Sequence, residues 1–179
     1  MSTLTSLAIL LSVSTSTQHA APEISEPVKE GLSESARNGN LRVLQLWSTD
    51  SARFLREWAQ PTPPNLTIDS KVRRNKPIEQ FIIIGGCQAN VAGNCDLSGV
   101  TTMTDPAGEV YGETLTFKAW DNLPKPSGNV LSLSPMGTGL RVEDGEKLGT
   151  YRIRLSITDN VAKITATTEV EILVVEAQE

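Results

Sequence analysis

The clearest pattern of apolar and polar positions lies toward the C-terminal end of the chain. In residues 151–158, Tyr151, Ile153, Leu155 and Ile157 fall on one face of an extended chain, and Arg152, Arg154, Ser156 and Thr158 on the other. Successive side chains of a strand point to opposite faces, so this run predicts an antiparallel strand with one buried and one solvated face. After the turn sequence DNVA, residues 163–175 repeat the pattern. Ile164, Ala166, Thr168, Val170, Ile172 and Val174 make an inward row, and Thr165, Thr167, Glu169 and Glu171 an outward one. A slip of one residue would expose the whole inward row, which fixes the register.

Shorter runs separated by turn residues mark further candidate strands at 66–72, 78–84, 97–104, 109–111, 114–120, 130–133 and 140–142. Between them, Asp105-Pro106-Ala107-Gly108 has the residues of a type I turn and reads as a hairpin. These runs are enough for two sheets and predict an all-β domain over 65–179.

Upstream, LRVLQLW at 41–47 is apolar enough to pack but matches neither period cleanly. Beyond it, Thr49 or Asp50 can cap a helix, Phe54, Leu55 and Trp58 recur at helical spacing, and Pro61, Pro63 and Pro64 end it. Residues 41–64 therefore read as a helical lead-in. Residues 22–40 are rich in Glu, Ser, Pro, Gly and Asn, which bury too little apolar surface to offset ordering entropy, and read as a disordered linker. Residues 1–21 carry no acidic or basic side chain except His19 and hold an apolar run from Leu4 to Val13. That run is shorter than the about 20 residues a membrane span needs, but it fits the core of a signal peptide, with Ala20 and Ala21 near the cleavage point and the positive leader missing.

Two phrases carry a family resemblance. EDGEKLGTYRIRLSITD (143–159) places Gly149 two residues before Tyr151 at the head of the alternating strand, and TDPAGEVYGE (104–113) forms the hairpin before it. Over roughly 65–179 the chain resembles uncharacterised bacterial envelope proteins with an immunoglobulin-like domain. The resemblance implies an immunoglobulin-like antiparallel β-sandwich with a short N-terminal helix. It also implies that Tyr151 is a tyrosine corner, its hydroxyl bonded back to the backbone near residues 143–147. It says almost nothing about activity. The cysteines depart from the antibody pattern: Cys87 and Cys95 enclose a short turn-rich stretch, QANVAGN, instead of joining two distant strands.

Composition narrows the chemistry. A chain of 179 residues suits one domain with tails, and a net charge of -5 argues against a nucleic-acid partner, which needs a basic face. His19 is the only histidine, so no Ser–His–Asp or Cys–His nucleophile is available, and two cysteines with one histidine cannot make a four-ligand zinc site. Neither the phosphate-cradling nor the dinucleotide glycine motif occurs. We expect no catalytic, cofactor or metal residues. Glu143, Asp144 and Glu146, with Asp159 in the last turn, could be a calcium site or a solvated turn, and their spacing, unlike an EF-hand, favours the turn. Lys71, Arg73, Arg74 and Lys76 could touch an anionic headgroup or cell-wall polymer, but the acidic total favours a solvated turn here too. Trp47, Trp58 and Trp120 are expected in packing more than in a ligand face.

Export to an oxidising compartment and a count of two leave one intramolecular pairing, a disulfide between Cys87 and Cys95. The expectation for the whole is a periplasmic or secreted, non-enzymatic binding or assembly module without an integral membrane span, acting on an envelope protein partner through loops or an edge strand. The alternative is a carbohydrate- or cell-wall-binding module, which would need two aromatics exposed on one face.

Overall fold

The computed structural model describes residues 35–60, 66–126 and 130–177. The expected signal peptide at 1–21 and most of the expected linker at 22–40 lie outside the described residues. In chain order the elements are β1 (Ser35–Asn38), β2 (Leu41–Ser48), α1 (Ser51–Trp58), β3 (Lys71–Arg73), β4 (Ile78–Gly85), β5 (Asn94–Thr104), β6 (Leu115–Pro124), β7 (Ser132–Leu133), β8 (Gly139–Leu140), β9 (Gly149–Asp159) and β10 (Ile164–Val175).

The two alternating runs form β9 and β10, an antiparallel pair with Tyr151 opposite Ile172 and Leu155 opposite Thr168, and the inward rows of both are buried except at Ile164. One sheet has the order β1-β2-β4-β7 with β8 also on β4, and the other has the order β3-β10-β9-β5-β6. Neighbouring β2 and β4 in one sheet, with β5, β9 and β10 in the other and β9 at its centre, reproduce the division of strands of an immunoglobulin domain. Pairs are antiparallel except β3 with β10, which is parallel. The fold is an all-β, immunoglobulin-like sandwich with one short helix.

Its core is in two parts. Near one pole, Leu41, Val43, Ile82 and Ile84 meet Leu97, Leu155, Ile157 and Ala166; near the other, Trp47 and Ile78 meet Tyr151, Ile153, Val170 and Ile172. Gln45, Gln80, Thr101 and Thr168, all buried, lie in the inward rows at the level where the two parts meet. A third cluster forms outside the first sheet, where Leu46, Phe81 and Ile83 point away from the core and α1 covers them with Phe54, whose ring stacks on Phe81 at 3.8 Å. Asp50 caps α1 by accepting from the Arg53 amide at 2.9 Å.

Several sequence boundaries are corrected. Residues 41–64 are helical only over Ser51–Trp58, since Leu41–Ser48 is β2, an inner strand of the first sheet. Ser35–Asn38, placed in the linker, is β1 and pairs with β2, so the sandwich takes in chain well before residue 65. The helix accordingly follows two strands instead of preceding the sandwich. Of the run at 66–72 only the end joins β3, and the run at 109–111 contributes one isolated bridge, Thr104 to Val110. The Asp105 turn is as read, with the Gly108 amide donating to the Asp105 carbonyl at 2.9 Å.

Candidate functional site

At the start of β9, Tyr151 is buried and donates its hydroxyl to the Lys147 carbonyl at 2.7 Å, the geometry of a tyrosine corner. Tyr111 packs edge-on against it, ring centroids 5.0 Å apart, and donates its own hydroxyl to the Arg141 carbonyl and the Glu146 carboxylate. Burial, then the hydrogen bond to Glu146, pushes the Tyr111 phenol above its ordinary range. Burial, then the Glu146 charge, does the same to Tyr151.

The carboxylates of this pole are held by protein donors. Lys147 bridges Asp105 at 2.6 Å and Glu109 at 3.1 Å, and its ammonium holds the Asp105 carboxyl below the usual carboxylate range. Asn75 donates to Asp144, and the Glu143 backbone amide donates to Glu146. Among the described residues no group of three His, Cys, Asp or Glu is placed to hold a metal ion. The basic run does not converge either: Lys71 and Arg73 point outward from β3, whereas Arg74 turns back to the Glu146 carbonyl and to Glu176.

No two tryptophans share a face. Trp47 is in the core, Trp58 stacks beside Phe54 on α1, and Trp120 donates from β6 to the Leu123 and Pro124 carbonyls.

At the opposite pole Cys87 and Cys95 form a disulfide, with α-carbons 6.1 Å apart. A loop of this length is stabilised by about 2.6 kcal/mol in the chain-entropy picture. Within it Asn90 Oδ1 accepts from the amides of Ala92 and Asn94. Gly86, at φ +70°, lets β4 pass the first hairpin, because a β-carbon there would sit 1.8 Å from the Asn40 carbonyl oxygen. Beside the disulfide a cavity of about 580 Å³ opens, lined in part by Asn40, Arg42, Gln88, Lys125 and Asp159. Asp159 is fully buried and accepts from the backbone amides of Gln88, Val161 and Ala162 at 2.7–2.9 Å. Its carboxylate is committed to three amides, and no second carboxylate lines the cavity among the described residues.

The second sheet ends in β6, a ten-residue strand paired, among the described residues, only with β5. Its ladder is regular from Leu115 to Lys118 and irregular beyond, where the register shifts at Leu97, Asn122 has φ +51°, and Pro124 ends the strand. These are features that blunt an edge, and they leave the first half open. Phe117 lies over Gly99, where a β-carbon would sit 2.4 Å from its ring. Leu115 and Leu123 are each 40 % exposed, and Val100 is exposed on the neighbouring strand. Just past the open stretch, Ser134 donates to the Ala119 carbonyl at 2.8 Å. The sequence marked a strand here without showing that it is an edge; Lys118 and Pro124, residues common on edges, were the available sign.

Among the described residues no helix is long and apolar enough to cross a membrane. No protein-family model and no curated protein matches the chain. Among solved structures it is similar to the CARDB domain of the PF1109 protein from Pyrococcus furiosus, in complex with di-metal ions, at 14% identity and a TM-score of 0.37, over 60% of this chain and 81% of that one. It is also similar to a family 123 glycoside hydrolase from Clostridium perfringens at 8% identity and a TM-score of 0.39, over 75% of this chain and 27% of the hydrolase. Likenesses this distant carry no argument about activity.

Proposed function

We propose that this protein is a non-enzymatic, exported binding or assembly module of the bacterial envelope that holds a protein partner along β6. The observation that carries the reading is the regular outer edge of β6 at residues 115–118, which no strand pairs among the described residues and which begins at exposed Leu115. An extended partner segment can add a strand there, its main chain supplying affinity and alternate side chains supplying selectivity. The Cys87–Cys95 bond supports an oxidising compartment. The carbohydrate alternative has no exposed aromatic pair behind it among the described residues.

A photoreactive side chain at Thr116, on β6, tests the reading against one at Thr167, three strands away on β10 in the same outward row. In the native envelope, irradiation should give a protein adduct from Thr116 and none from Thr167. Equal adducts from both positions, or none from Thr116, would reject docking along β6.

A further inference from the structure

We propose that the cavity beside the Cys87–Cys95 disulfide is a ligand site of its own, and that it binds a small hydroxylated anion, a sugar phosphate or a sugar acid, through Arg42 and Lys125. The selection of charge follows from the sheet. On the outward face of the first sheet, Arg42 stands directly opposite Arg37 on β1 and Gly85 on β4. Like charges directly opposite on neighbouring strands repel, and a glycine offers no side chain to offset them. Arg37 turns to the Gly39 carbonyl at 3.3 Å, whereas Arg42 is half-buried in the cavity wall and its side chain has no acceptor among the described residues.

Lys125 lines the same cavity, and neither cation pairs with a carboxylate among the described residues. The one lining carboxylate among those residues, Asp159, is fully buried, and its two oxygens already accept the amides of Gln88, Val161 and Ala162. Two cations against that single carboxylate leave the lining positive, in a chain whose net charge is -5. A guanidinium is a planar fork of donors that matches the two oxygens of a carboxylate or phosphate. An anion seated against both cations gives the Arg42 guanidinium its missing acceptor and offsets its repulsion with Arg37.

The rest of the ligand follows from size and from the neutral groups. At about 580 Å³ the cavity falls within the roughly 300–1,000 Å³ of small-molecule sites, which leaves room beyond a bare phosphate or carboxylate group. The side-chain amides of Asn40 and Gln88 also line it and have no partner among the described residues. Each offers two donors and an acceptor, the two roles a hydroxyl uses. No aromatic ring lines the cavity among the described residues, so the charged group, and not a stacking platform, anchors the sugar. The walls are set before any ligand arrives: the disulfide closes the Cys87 side, Asp159 fixes the Gln88 amide, and Gly86 lets the Asn40 backbone approach. Such preorganisation lowers the ordering cost of binding.

The test titrates glucose-6-phosphate and glucuronate into the nitrogen-15-labelled full chain, with glucose and inorganic phosphate as controls. Either anion should shift the Asn40 and Gln88 side-chain amide signals, less readily as salt rises, and the tighter of the two identifies the charged group. Arg42→Gln should weaken binding roughly tenfold or more, the scale of a lost charge-assisted hydrogen bond, and should keep the fold because it removes a like-charge pair. Lys125→Gln, at an exposed position, should weaken it in the same direction, and Lys71→Gln, on β3 at the other pole, should bind as the parent does. Unmoved Asn40 and Gln88 signals at millimolar levels of both anions would overturn the proposal, as would an affinity untouched by Arg42→Gln and Lys125→Gln. Glucose binding as tightly as the anions would reject the charge anchor, and inorganic phosphate binding as tightly as the ester would reject the sugar. None of these outcomes depends on β6, whose crosslinking test stands or falls separately.

Discussion

Tyr111 and Tyr151 meet edge to face over Glu146, and both phenols hold their protons more firmly in the folded protein than in an open chain. A group whose folded value is raised contributes stability that is complete below its unfolded value, about 10 for tyrosine, and is lost as pH climbs through the raised one. Stability should therefore fall on the alkaline side, starting near pH 10. Tyr111→Phe removes one of the two groups, so urea midpoints measured from pH 8 to 11 should decline less steeply in that variant than in the parent. Parallel curves would mean that the half-buried phenol of Tyr111 is not linked to folding. Asp105 has the opposite sign: its lowered carboxyl contributes above its ordinary range and loses that contribution in acid. Tyr151 was legible from its place after Gly149, whereas Tyr111 was not, because its bonds reach Arg141 and Glu146 across 30 and 35 positions.

The helix α1 adds an apolar layer outside the sandwich, and this explains what the sequence could and could not show. β9 has one face in water, so its residues alternate; β2 and β4 are covered on both faces, by the core and around α1, so apolar Leu44, Leu46, Phe81 and Ile83 fill the positions that would otherwise be polar. Gln45 and Gln80 in the inward rows blur the period further. The disulfide was readable because a count of two allows one pairing within a short loop, while the edge character of β6 depends on which strands pair with β5, a property no local pattern records. Removing the layer should be costly. Phe54→Ala deletes a buried ring stacked on Phe81 and should destabilise by about 3 kcal/mol, with chemical-shift changes gathered at Leu46, Phe81 and Ile83. A loss under about 1 kcal/mol would mean that α1 is dispensable to the sheet beneath it, since removing a packed phenylalanine ring costs about 3 kcal/mol or more.

Over the whole molecule the early strands are completed by the last one. Gln45 meets Thr168 across 123 positions and Asn38 meets Thr165 across 127, and β3 is held in the sheet by residues 173–175 of β10. Such distant pairings make loop closure the slow event, with sheet-rich domains of this kind folding in roughly milliseconds to seconds. A chain cut after Lys163 should then lack native near-ultraviolet dichroism, whereas the full chain regains it; a cooperative melt from the shortened chain would show that the front strands fold without β10. The same parallel seam between β3 and β10 bears on how the molecule is made. As the chain is made from its first residue onward, β2 and β4 are complete, each with two apolar faces, before the closing strand exists. Until residue 175 follows, those faces stay uncovered, so synthesis that stops before that point leaves an aggregation-prone stub instead of a half-built domain.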